Sequence, residues 1–233
     1  SYTFASVANE MAVLRHSDPN SDPVLPYTPE DLAKFKAGKE PGYRTTDWYR
    51  RTMHKWVPQH RTNVSVSGGS DRINYFFSVG ELMQRDRFKE SSGKYRQYNV
   101  RSNIDVKIAR SLTMGLNLAG TFDKRHVPYF SSTEMASHIF LYHPYWETYW
   151  PGTNYLKPLR GDQNWVNMVS DNAGYHDLEN KKFQGTLFLK WEVPWVKGLM
   201  LEASGSYDTL HEYWKTFRTP SYVYHEDGEG GYV

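Results

Sequence analysis

From Thr62 onward, apolar and polar residues alternate along the chain. Thr62, Val64 and Val66 alternate with Asn63, Ser65 and Ser67. Gly68, Gly69, Ser70 and Asp71 supply a tight turn, after which Ile73, Tyr75, Phe77 and Val79 occupy one face of a returning strand. Tyr98, Val100, Ile104, Val106 and Ile108 share a face broken only by Ser102, opposite Gln97, Asn99, Arg101, Asn103, Asp105 and Lys107. Leu112, Met114, Leu116, Leu118 and Phe122 form the next apolar face, Phe183, Leu187, Leu189, Trp191 and Val193 another, and Leu199, Leu201, Ala203 and Tyr207 the last. Successive strand residues point to opposite sides of a sheet, so this pattern marks strands with one apolar and one polar face. Six such segments predict an all-β fold of antiparallel, up-and-down strands over residues 61–233.

The connections alternate in length. Gly68–Arg72, Ala109–Ser111 and Pro194–Gly198 are short, whereas Arg85–Lys94 is longer and Asp123–Lys182 very long. A sandwich has no reason to gather every long connection at one end. A transmembrane barrel does, with short periplasmic turns and long extracellular loops. A lipocalin-like soluble barrel shares the pattern in part, but a loop of this length is foreign to so small a barrel. In a membrane barrel the apolar face meets lipid and the polar face lines the lumen, which makes Asn99, Arg101, Asn103 and Asp105 candidate lumen residues.

Residues 1–60 lack the alternation and read as a loop region with two short helices. Thr28 is a natural N-cap, Pro29 a first helical residue, and Gly38 a stop. Thr46-Asp47-Trp48 opens a second helix running to about His54. In the long loop, Ser131 and Glu134 have capping-box spacing and predict a helix from Ser131 to about Tyr142.

Composition sharpens this picture. Aromatics make up 16% of 233 residues, with eighteen Tyr and eight Trp, yet the mean hydropathy is −0.73. Aromatics among polar residues suit a surface at lipid headgroups, or one that grips sugars or peptides. No apolar run approaches the length of a spanning helix, whereas a spanning strand needs only about 9–11 residues. The formal charge of +2 is too balanced for a nucleic-acid footprint. Without Cys there is neither a disulfide nor a thiolate zinc site. Ser1 is preceded by no signal segment and the chain closes on the Gly-rich stretch His225 to Val233, so it is expected to be a piece of a larger protein.

Candidate chemistry is sparse. The Gly68-Gly69 pair is followed by no phosphate-loop Lys and reads as a turn. Asp18, Asn20 and Asp22 have the opening spacing of a calcium loop but lack its Gly and closing Glu. His138 and His143 are badly spaced for one helix face, and no nucleophile elbow is present, so neither catalysis, a cofactor nor a metal is expected. The feature that stands out is the aromatic loop, where Tyr145, Trp146, Tyr149, Trp150 and Trp165 are candidates for contact with a ligand or partner. Packing within the loop is the competing reading.

The stretch Asp47–Ala119 resembles the SusC/RagA family of TonB-dependent outer-membrane transporters of Bacteroidetes. The resemblance is carried by Thr46-Asp47-Trp48, by Asn63 to Asp71 (NVSVSGGSD), by Tyr75 to Gly80 (YFFSVG), by Tyr98 to Asp105 (YNVRSNID) and by Leu112 to Gly120 (LTMGLNLAG). Glu81 to Asp86 departs from the family's pattern after its second strand. The resemblance implies a barrel of roughly 22 strands, import of a glycan or oligopeptide, a SusD-like surface lipoprotein as partner, and energy from a TonB complex. A soluble all-β carbohydrate-binding module using the aromatic loop is the alternative.

Overall fold

The computed structural model describes residues 1–233. Its centre is one six-stranded antiparallel sheet in which every strand pairs only with its neighbours in sequence. The strands are β1 (Gln59–Gly69), β2 (Ile73–Arg85), β3 (Lys94–Ala109), β4 (Leu112–Pro128), β5 (Gly174–Glu192) and β6 (Met200–Arg218). The sheet does not close on itself, and β1 and β6 are its edges. Its short turns, residues 70–72, 110–111 and 193–199, all lie at one end. Residues 1–58, 86–93, 129–173 and 219–233 all lie at the other, where they form a crown.

The register puts whole rows of one chemistry side by side. Val64, Val79, Val100, Gly120 and Phe183 are cross-strand neighbours on one face, followed by Gly68, Tyr75, Ile104, Leu116 and Leu187. The opposite face carries the row Ser65, Ser78, Arg101, Ala119, Gln184 and Asp208, and next to it Ser67, Phe76, Asn103, Asn117, Thr186 and Ser206. No second layer covers the apolar face: Val64 is 67% exposed and Leu187 46%.

The buried core lies in the crown. Trp48 and Met53 meet Phe88 of the β2–β3 connection and, from residues 129–173, Met135, Ile139, Tyr142, Trp165, Val166, Met168, Val169 and Ala173. Helix α2 (Pro29–Ala37) begins with a full capping box, Thr28 and Asp31 each accepting the other's amide, and ends at Gly38 with φ 61°. Helix α3 (Trp48–Thr52) is capped by Asp47, whose carboxylate accepts from the Arg50 amide at 3.0 Å. Helix α4 (Ser132–Ile139) is capped by Ser131, and α5 (Trp165–Met168) is a single turn before β5.

Three expectations are corrected. Residues 1–58 hold three helices rather than two, because α1 spans Tyr2–Arg15. Its apolar residues lie all around its axis instead of along a stripe, so periodicity gave no sign of it. The long loop is 129–173 rather than 123–182, since β4 and β5 run on past the apolar band. There polar pairs replace apolar ones, and the backbone ladder continues without an apolar face. Lys124 reaches Glu179 at 2.7 Å, Asn180 donates to Asp123 at 3.0 Å, and His126 meets Asp177 at 2.6 Å. Helix α4 also stops at Ile139, short of Tyr142, whose ring turns into the core.

Candidate functional site

The aromatic loop folds into the crown by specific hydrogen bonds. Trp48 donates its indole N–H to the His143 carbonyl at 2.9 Å, and Thr46 its hydroxyl to the Trp146 carbonyl at 3.0 Å. Tyr142 accepts the Trp165 amide at 2.7 Å through its hydroxyl, and burial raises the pKa of that phenol. Asn164, fully buried, donates to the carbonyls of Thr148 and Lys157. The His143 ring stacks on Trp146 with centroids 4.5 Å apart, and burial lowers its pKa.

A second aromatic cluster ties α1 and α2 to the loop. The hydroxyls of Tyr27 and Tyr145 are 3.1 Å apart, with Phe4 and Phe35 packed edge-on or tilted against both rings. A third holds the chain's last residues: Trp150 donates to the Tyr224 carbonyl at 2.7 Å, and Tyr155 packs on Tyr224 and Tyr232. Lys157 sits over the Trp150 ring at 4.4 Å.

These contacts distribute the five aromatic candidates. Trp165 is 3% exposed and belongs to the core, and Trp146 packs against that core. Tyr145 and Trp150 are half-buried in the second and third clusters, and Tyr149, 42% exposed, is the one open to solvent. Packing therefore accounts for most of them. Asn99, Arg101, Asn103 and Asp105 do share one sheet face. Asn99 accepts the Thr121 hydroxyl at 3.1 Å, and Arg101 and Asn103 line a shallow groove of about 330 Å³ with Gln184 and Thr186.

A cavity missed by the sequence reading lies where that polar face meets the crown. Its volume is about 1040 Å³, and it is bounded by Gln84, Tyr95 and Arg125 of the polar face, by Tyr49 and Met53 beside α3, and by Ser132 and Phe140 at the two ends of α4. Its walls come from four separate stretches of sequence, and no local pattern marks them as neighbours. Along β3 the same face runs Tyr95, Gln97, Asn99, Arg101, Asn103, Asp105, from the cavity towards the turns. Asp18 accepts from Asn20 and Ser21 in a local turn, and no group of three or more acidic or His side chains is placed to hold a metal ion.

A single-layer antiparallel wall, with turns at one end and a folded crown at the other, defines the architectural class. No protein-family model matches the chain, and no curated protein matches it by sequence. Solved structures do. The RagAB peptide importer in its closed-closed and open-open states is 20% identical in each case, with TM-scores of 0.59 and 0.60 over 76% and 78% of this chain. A structure of the RagAB peptide transporter is 21% identical, with a TM-score of 0.58 over 76% of the chain. The chain spans 20% of the length of each of these proteins. At this identity the likeness establishes the fold, and these structural neighbours are transporters.

Proposed function

We propose that the chain forms part of the wall and extracellular crown of a TonB-dependent outer-membrane transporter of the SusC/RagA type. The transporter imports oligopeptides and works with a SusD-like surface lipoprotein and a TonB complex. The observation that carries this reading is the uncovered apolar face. From Leu112 to Phe122 that face rises about 33 Å along β4 at the usual strand rise, or about 25 Å along the membrane normal at a barrel tilt of roughly 40°, the height of the lipid-facing band of such barrels. Aromatics stand at its margins: Tyr98 and Phe122 at the crown end, and Trp191 with Trp195, 5.5 Å apart, at the turn end. Beyond the crown margin the same face turns charged, with Arg96, Lys124 and Glu179 side by side. No helix is long and apolar enough to cross a membrane.

A soluble sugar-binding module would have to bury the apolar face against a second layer, and the crown packs over a different part of the molecule. Asn99, Arg101, Asn103 and Asp105 then face the lumen. A peptide cargo is favoured over a glycan by the RagAB neighbours, which are peptide importers.

Spin labels placed one at a time in the full-length native protein test the assignment of faces. Labels at Val100 and Leu116 are expected to be accessible to oxygen and shielded from a water-soluble paramagnetic quencher, and labels at Arg101 and Asn117 the reverse. Quencher access at both Val100 and Leu116 rejects the reading.

A further inference from the structure

The transport reading names peptides without saying which, and the cavity under the crown bears on that choice. Resting on that reading, we infer that the cavity receives the carboxylates of an acidic peptide. Four cations line it, Arg85, Arg87, Lys94 and Arg125, against a single carboxylate, Asp86. Other charged groups near this end find partners: Arg51 of the crown pairs with Glu90 at 3.0 Å, and Lys124 of β4 with Glu179 of β5 at 2.7 Å. None of the four lining cations is within ion-pair distance of an acid. Asp86 does not neutralise them, because its carboxylate is turned to its own loop. One oxygen accepts from the Arg87 amide at 2.6 Å and the other from the Ser91 hydroxyl at 2.8 Å.

Placement on the strands supports the same conclusion. By register Arg125 stands on the polar face beside Tyr95, and Arg87 is in the connection above it. Arg85 and Lys94 pair with each other as the last and first residues of their strands and line the cavity as well. Opposite them, Ser132 and Thr133 bring the N-terminus of α4 to the cavity wall. Their amides belong to the unpaired donors of a helix start, which favour an anion. Unpaired cations cost little while they stay hydrated, and they form strong charge-assisted bonds when a carboxylate enters with its water stripped. At about 1040 Å³ the cavity has room for several residues of an extended peptide. The arrangement is a selectivity device within the proposed path: neutral peptides gain nothing from these cations and basic ones are repelled.

Binding to the purified full-length native protein is measured for three isosteric peptides that carry Asp, Asn or Lys at the same positions. The wild type is expected to bind the Asp peptide about tenfold more tightly than the Asn peptide, as one or two charge-assisted bonds supply, with the preference shrinking as salt is raised. Arg87→Gln with Arg125→Gln abolishes that preference, while Arg87→Lys with Arg125→Lys keeps most of it. A wild type indifferent to Asp overturns the inference. So does a Gln pair that weakens both peptides equally, or tighter binding of an acidic oligosaccharide than of the Asp peptide. Uptake by cells is followed in parallel. Asp-selective binding without uptake defeats the transport reading and upholds the site, and uptake blind to charge defeats the site and leaves transport standing.

Discussion

His143 carries the sharpest consequence at the scale of a single residue. Its ring is stacked on Trp146 and shares a hydrogen bond of 2.9 Å with the Tyr145 hydroxyl, and burial holds its pKa below the ordinary imidazole value of 6.5. A group whose pKa is lowered by folding binds fewer protons folded than unfolded, so stability rises with pH across the interval between the two values. The contribution of His143 is therefore in place above 6.5 and is lost as pH falls from there through the lower folded value. The protection factors of the Tyr142–Trp150 amides, corrected for the chemical exchange rate at each pH, are expected to fall between neutral and mildly acidic pH. His143→Gln should flatten that dependence, and an unchanged profile in the variant would assign the effect elsewhere. Such residue-level facts were poorly legible in the sequence. The crowding of aromatics in the loop was visible, but Trp165 and Tyr149 have the same local signature, and only the fold separates the buried one from the exposed one.

At the scale of the element, strands were legible and helices less so. Alternation located all six strands, because a face of one chemistry imposes a period of two wherever it meets one environment. It failed where that requirement lapsed: the polar ends of β4 and β5 carry no apolar face, and α1, apolar on several sides, has no stripe. The caps of α2 and α4 were readable because a cap is a local matter of a few side chains and amides. The cavity was not, since its walls meet only when β2, β3, β4 and α4 are assembled. Within β4, two glycines that look alike in sequence differ in what surrounds them. At Gly115 the Phe188 ring of β5 lies across the position of any side chain, whereas nothing lies within 4 Å of a Cβ at Gly120. Gly115→Val must move that ring and is expected to cost about 1–3 kcal/mol, seen as a lower urea midpoint of the full-length protein in detergent. Gly120→Ala should leave the midpoint where it was. Equal effects would mean that the β4–β5 register differs from the one described.

For the molecule as a whole, the exposed residues of the crown decide what the chain offers a partner. Tyr149, Phe140 and Leu141 are all more than two-fifths exposed at that end, and exposed aromatics are frequent anchors of interfaces. If a SusD-like lipoprotein caps the crown, Tyr149→Ala with Phe140→Ala should reduce its co-purification with the full-length transporter about tenfold without changing assembly of the barrel. Trp165→Ala acts differently. It opens the core at a cost of about 3–5 kcal/mol and should expose the loop to protease whether or not the partner is present. Loss of the partner only in the Trp165 variant would show that the surface aromatics play no part in docking.

The segregation of the buried core into the crown, leaving a wall one layer thick, also bears on what the lineage is free to change. In the proposed transporter, a wall residue on the uncovered apolar face is judged by its solvent: any apolar side chain serves, its shape matters little, and exchange among Val, Ile, Leu and Phe is nearly neutral. A crown residue such as Trp48 or Met135 is judged by its neighbours, so changes there must come in matched sets. The wall thus needs its alternation of chemistry but not the particular letters that spell it. The core of the crown can be rewritten as a block with no adjustment in the apolar face of the wall beneath it.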